Sequence, residues 1–473
     1  MKIPRTVVAA TLIVATIQTT ILLQANGVTY DAYNALTHIN HIAETGLPLT
    51  QEAETWGGAT HSLQPLFYYL AAFATILLPT THAALLIANL ATLTIPLLTY
   101  LLAREISTQP QAPKIVALLS AFTPLLYAQT TLNATPITLA IPLLLASYYY
   151  FLRLGKSPRD QQLFIGYTIA LALTHPISLL LVAATTVTLL LQRIQDIKFS
   201  KSMAEATLFA TFFTTWANLL AHTDVLRTHG LGAIIQPLTP ITLATAATNA
   251  GLLVVLAATY AASQYLRTET NQSAHALIAL ATTTLALTLT RIIPTNIGTL
   301  ILTLALLPLA AGAIETYQQS KHRSRVPGGY AIGGVLLTIL FITTSAVPAL
   351  ALGHQQLQNT PTAQEHQLLE ELADVPRQKT HWDANKANLL RSHGFPTANT
   401  NNQLLATNPQ QVQRDLQRLQ QVNNPVAYIE LLNQQDIQLI ILEENHTRPV
   451  TERCFERIPT TNYEVYRLTC AVN

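Results

Sequence analysis

Apolar residues run in long blocks up to about position 350 and in short, alternating blocks beyond it. Eleven of the long blocks are read as membrane-crossing helices, at 6–24, 82–103, 113–129, 135–152, 161–175, 176–192, 204–221, 241–266, 274–290, 297–317 and 330–350. The physical basis is length: about 20 predominantly apolar residues, rising about 1.5 Å each, cover a hydrocarbon core of about 30 Å. One more apolar run, QPLFYYLAAFATILLP at 64–79, is only 16 residues long and is read as an interfacial or re-entrant helix. Residues 25–81 then form one large outer loop.

After residue 351 the pattern changes. NPQQVQRDLQRLQQV opens with Asn408 as a helix cap and Pro409 at the first helical position, and NPVAYIELLNQQ repeats that signature. A buried-strand run, IQLIILEE, follows, and CFERIPTTNYEVYRLTC reads as a closing hairpin. A turn centred on Asn462 would pair residue 458 with 466 and Cys454 with Cys470, close enough for a disulfide. The expected fold is a polytopic α-helical membrane domain of about eleven spans (1–351) followed by a soluble α/β domain (352–473).

Charge orients this chain in the bilayer. Half of the 473 residues are in the AVILMFWYC set and only 11% are charged, so each ionisable group carries weight. Of the 26 Lys and Arg, ten lie after residue 352. In the membrane domain fourteen fall in one set of connections, and only Arg227 and Arg291 fall in the other. The basic set is cytoplasmic, which puts the N-terminus inside and the C-terminal domain outside. MKIPRT and the run behind it lack a small-residue cleavage site, so the first block reads as a retained anchor. A net charge of +2 carries no nucleic-acid signature, and no nucleic-acid partner is expected.

The outer loop 25–81 holds Asp31, Glu44, Glu52 and Glu54 and no Lys or Arg. TYDAYNALTHINHIAETG at 29–46 reads as a helix over 32–45, capped by Asp31 and stopped by Gly46. Asp31, Asn34, His38 and His41 then share one edge, beside an apolar arc that includes Ile39 and Ile42. Two readings follow from spacing: an interfacial helix with its polar edge in water, or a transition-metal site made of an acid and two imidazoles. Spacing does not choose between them.

The order of features resembles the C-type glycosyltransferases. An anchor is followed by YDAYNALTHINHIAETGLP, then by the acidic EAETWGG, then by QPLFYYLAA. SAFTPLLYAQTTLNATP at 120–136, LALTHP at 171–176 and LPLAAGA extend the likeness over most of the membrane domain. Within that superfamily the chain looks most like the catalytic subunit of oligosaccharyltransferase. The resemblance implies a polyprenyl (dolichyl-type) phosphate-linked sugar donor in the lipid bilayer and a protein or lipid acceptor on the outer face. It makes Asp31 the catalytic carboxylate. It implies a divalent cation, Mg²⁺ or Mn²⁺, on the oxygens of Asp31, Asn133 and Asp224, with hard ions favouring oxygen over the histidines. It places Arg291 against the lipid-linked phosphate, gives His38, Glu54 and His175 as substrate contacts, and aligns Trp382 and Asp383 with an acceptor-reading W-W-D-Y-G motif.

The chain departs from the pattern at three places. NAT at 133–135 stands where an acidic pair is usual, Asp224 is the single acid of 222–240, and HWDAN replaces most of W-W-D-Y-G. A monosaccharide transferase of the protein-mannosyltransferase type therefore stays open, as does a non-catalytic membrane protein or lipid transporter. Clean span interiors count against ion-coupled transport.

Overall fold

The computed structural model describes residues 3–49, 51–52, 59–60, 64–197, 200–229, 249–268, 271–323, 336–382, 386–393, 395–397, 418, 424–443 and 453–470. Helix α1 (Arg5–Gln24) leads through a short turn into α2 (Tyr30–Thr45). The expected helix in this loop exists, but it starts at Tyr30 with Thr29 in the capping position, so Asp31 lies in the first turn and is not the cap. Gly46 ends α2 with φ of 73°, a left-handed conformation that glycine adopts without a β-carbon clash. A two-stranded ribbon, β1 (Gln51–Glu52) and β2 (Ala59–Thr60), follows. Helix α3 (Leu66–Ala74) has nine residues. At about 14 Å it is too short to cross a core of about 30 Å, as the reading of 64–79 required.

The remaining apolar blocks form α4 (Thr80–Thr92), α5 (Ile95–Ile106), α6 (Ala112–Ser120), α7 (Pro124–Thr130), α8 (Pro136–Leu152), α9 (Pro158–Ala172) and α10 (Ser178–Ile194). They continue as α11 (Lys201–His229), α12 (Leu252–Thr268), α13 (Gln272–Leu289), α14 (Thr295–Arg323) and α15 (Val347–Gln355). Among the described residues five helical stretches have both the length and the composition to cross a membrane: Arg5–Gln24, Thr80–Ile106, Gln272–Leu289, Thr295–Gln319 and Leu336–Glu371. Pro136–Leu152 and Ser178–Ile194 are shorter apolar helices. The block 113–129, expected as one span, is the pair α6 and α7. Pro124 is the reason: its ring disfavours helical geometry at the preceding residue, and Thr123 is extended (φ −66°, ψ 121°).

Hydrogen bonds and ion pairs sort the connections into two ends of the bundle. At one end Arg153 pairs with Glu105 (3.0 Å) and Asp160 (3.3 Å), and Lys156 pairs with Glu105. There too Ser107 Oγ donates to Glu315 (2.9 Å) and Asn271 Nδ2 donates to Ile106 O (3.0 Å). At the other end Thr29 N donates to Leu132 O (3.1 Å), Leu66 N donates to Leu173 O (3.0 Å) and Asn218 Nδ2 donates to Ser178 Oγ (3.0 Å). Arg104, Arg153 and Lys156 thus share an end, as the charge count required, and the outer-loop helices cover the opposite one.

Beyond α15 come α16 (Ala363–Glu371), β3 (Thr380–His381), α17 (Ala387–Ser392), α18 (Pro425–Gln434), β4 (Leu439–Glu443), β5 (Phe455–Ile458) and β6 (Tyr463–Leu468). The strands form one sheet in the order β3-β4-β6-β5, with β3–β4 parallel and the other pairs antiparallel. Asn424 caps α18 through Val426 N (3.0 Å), as its sequence predicts, whereas the helix expected from Asn408 lies outside the described residues. Cys454 and Cys470 are bonded, with Cα atoms 4.9 Å apart. The hairpin register differs by one residue from expectation: Ile458 pairs with Val465, and Thr469 N donates to Cys454 O.

The expected boundary at 351/352 falls inside α15, and the two parts share a core. Ala32, Leu36 and Ile39 of α2 pack in one cluster with Ala84, Ala88 and Ala134 from the membrane helices and with Leu368, Leu389 and Val465 from the C-terminal part.

Candidate functional site

The site grows from the first turn of α2. Asp31 is exposed there, where the free N–H groups of the helix terminus favour a carboxylate. The bond from Thr29 N to Leu132 O seats this turn on the residue before Asn133. The structure therefore brings Asp31 and Asn133 to one junction from separate outer loops. Asn133 Oδ1 is buried and, among the described residues, accepts no hydrogen bond; the hydroxyls of Thr29, Thr131 and Thr135 share that condition.

Along α2, His38 is 5% exposed and its ring centre lies 5.1 Å from that of Tyr68 on α3. It belongs to the packed side of the helix, so the polar edge read from sequence closes over at its second turn. Helix α3 begins beside the α9–α10 turn, where Gln64 Nε2 donates to Ala172 O (3.0 Å) and Asn218 Oδ1 (3.1 Å). His175 sits in that turn. Its Nδ1 accepts the Ile177 N–H (3.1 Å), which leaves the ring proton on Nε2 and makes that atom a donor.

Arg291 follows α13 directly. Helix α13 starts at the ion-paired end, where Asn271 is bonded, and its 18 residues carry the chain about 27 Å to the opposite end. Arg291 thus shares an end with Asp31, Asn133 and His175. Its φ is 64°, and among the described residues its guanidinium has no hydrogen-bond or ion-pair partner.

Trp382 is 2% exposed, edge to face with Tyr463 at 5.7 Å, within the core that α2 shares with the C-terminal part. It presents no open ring face. Glu54 and Asp383 lie outside the described residues, and Asp224 is on α11 with its side chain outside them. Among the described residues no three of His, Cys, Asp and Glu converge as a metal site. The donors described at this junction are one carboxylate and neutral oxygens, the acids Asp224 and Glu54 have side chains outside the described residues, and no chemical step is routed through a divalent cation.

Sequence reading missed Arg391 and Glu365, which reach α2 from the C-terminal part. Arg391 Nη1 donates to Asn34 Oδ1 (3.4 Å), one turn after Asp31, and burial pushes its guanidinium down to about 10. Both look like ordinary surface charges in a polar segment, and no local signal marks them as facing a loop more than 300 residues earlier.

No protein-family model and no curated protein matches the sequence. Solved structures do match the fold. The apo oligosaccharyltransferase of Archaeoglobus fulgidus superposes with a TM-score of 0.70 at 12% identity, over 93% of this chain and 69% of that one. Archaeal oligosaccharyltransferase AglB from the same organism, in complex with an inhibitory peptide and a dolichol-phosphate, gives 0.66 at 11% identity, over 92% and 69%. ArnT from Cupriavidus metallidurans bound to undecaprenyl phosphate gives 0.63 at 11% identity, over 97% of each chain. The chain has the fold of the C-type glycosyltransferases.

Proposed function

We propose that this chain is an integral-membrane glycosyltransferase that moves a sugar from a polyprenyl phosphate or pyrophosphate to an acceptor at the Asp31 end of the bundle. The carrying observation is a fold shared over more than nine-tenths of the chain with two proteins solved with polyprenyl phosphates bound. In the reaction the acceptor's oxygen or nitrogen bonds to the anomeric carbon as the bond from that carbon to the phosphate oxygen breaks. The acceptor's proton passes to Asp31, and the negative charge left on the phosphate faces Arg291, whose planar guanidinium suits it. Asn133 and the Nε2–H of His175 line the same end and would hydrogen-bond substrate oxygens. The N-terminus lies on the cytoplasmic side, and the C-terminal domain and the site lie outside.

Transfer of a single sugar is the second reading. The buried Trp382 agrees with it, since a closed indole face offers an acceptor peptide nothing to rest on.

Membranes carrying the intact chain or Asp31→Ala should be supplied with radiolabelled sugars on dolichyl and undecaprenyl phosphates. Transfer should fall by at least about a hundredfold, the contribution expected of a general base. Unchanged transfer by Asp31→Ala would remove Asp31 from the chemistry. A chelator in the same assay reports whether a divalent cation takes part: a fall in the rate of the intact chain would bring one into the chemistry.

A further inference from the structure

We infer that Glu365 is a positioning residue that fixes the first turn of α2, and with it Asp31, by way of Tyr30. The inference rests on the reading of Asp31 as the catalytic carboxylate. Glu365 is 1% exposed, in the first turn of α16. Its Oε2 accepts the Tyr30 hydroxyl (2.5 Å) and the Thr362 N–H of its own capping box (2.7 Å), and its Oε1 pairs with Lys386 Nζ (2.9 Å). A buried carboxylate with this many donors is expensive to strip of any one of them. Burial alone would raise its pKa, but the bonds from Tyr30, Thr362 and Lys386 outweigh it and hold the group below the usual range. The acceptor is therefore an anion at neutral pH, and its bond to Tyr30 is charge-assisted.

The anchor behind Glu365 is itself confined. Lys386 Nζ lies over the rings of Trp382 (5.5 Å) and Tyr463 (5.7 Å). A second contact ties the same helix turn to the linker before α2, where His366 Nε2 meets Asn26 O at 3.1 Å. Gly27 fits because a β-carbon there would stand 2.8 Å from Tyr33 Oη.

These contacts grip the turn from two sides. Residue 29 is held by the membrane bundle through Leu132, residue 30 by the C-terminal part through Glu365, and Asp31 is the next residue, exposed. An unrestrained first turn frays because its N–H groups have no intrahelical partners. A displacement of about 1 Å at a reacting group costs up to about a hundredfold in rate. The C-terminal part on this view serves the chemical step as well as any acceptor contact.

The experiment compares the full chain in lipid nanodiscs with Tyr30→Phe, Glu365→Gln and the double variant. Amide hydrogen exchange over residues 26–36 should quicken about tenfold in each, with the rest of the chain unaltered. With a radiolabelled dolichyl-phosphate-linked hexose, kcat should fall about tenfold at unchanged KM, and the double variant should be no slower than the slower single. Unchanged exchange at 26–36 in Tyr30→Phe overturns the inference, even where Glu365→Gln fails to fold. Faster exchange with unchanged kcat overturns it too, reducing the contact to a structural one. Asp31→Ala with full turnover overturns the deeper reading instead, and the exchange data still report whether Glu365 holds the turn.

Discussion

At Arg291 backbone preference and chemistry pull in opposite directions. The residue closes α13 in a Schellman arrangement, with Ile292 N on Leu287 O (3.0 Å) and its own N–H on Thr288 O (3.1 Å). Glycine is the usual occupant of this left-handed position, and a side chain there costs about 1 kcal/mol. A side chain kept at that cost, without a partner among the described residues, agrees with the proposed phosphate role. Arg291→Gly should therefore raise the unfolding free energy by about 0.5–1 kcal/mol while cutting transfer at least about tenfold, with Arg291→Lys intermediate. Thermal unfolding and the transfer assay measure the two arms, and a variant that is more stable and fully active would strip Arg291 of its phosphate role. In the sequence Arg291 is one of two outward cations; its backbone strain was invisible, because nothing nearby announces a helix end without glycine.

Elements were legible wherever local chemistry alone decides them. Gly46 stops α2, Asn424 and Pro425 start α18, and IQLIILEE gives β4 because each signal acts within a few residues. The hairpin shows where that stops. Its tip is clasped from α16: Glu371 accepts the Thr461 N–H (3.0 Å) and Gln367 Oε1 accepts from Asn462 Nδ2 (3.2 Å). That clasp sets the pairing one residue away from a turn centred on Asn462, and the local sequence holds no trace of α16. The start of α2 slipped for the same reason, since the bond from Thr29 to Leu132 decides the cap. The disulfide survives the slip because its cysteines lie just past the last strand pair, Phe455 with Leu468. Closing a 16-residue separation should stabilise the C-terminal part by about 3 kcal/mol. Cys454→Ser with Cys470→Ser should lower its unfolding midpoint in denaturant accordingly, and an unmoved midpoint would mean the sheet and α18 hold the hairpin unaided.

At the scale of the molecule, ion pairs mark one end of the bundle and the outer-loop helices the other. Arg153, Lys156, Glu105, Asp160 and Glu315 gather at one end, and α2, α3 and the Asn133 turn cover the other. The C-terminal part is bound to the second end, because Leu368, Leu389 and Val465 complete the core of α2. Asp31 faces the side on which the hairpin lies, because α2 and the hairpin strand carrying Val465 share one core. The disulfide then reports for both, since it forms in oxidising compartments. In intact cells, a membrane-impermeant reductant followed by an impermeant maleimide should label Cys454 and Cys470 without permeabilisation. Labelling that appears only after permeabilisation would invert the orientation. It would place the fourteen basic residues of the membrane domain outside and Asp31 on the cytoplasmic face, and the donor would then have to present its sugar from that leaflet.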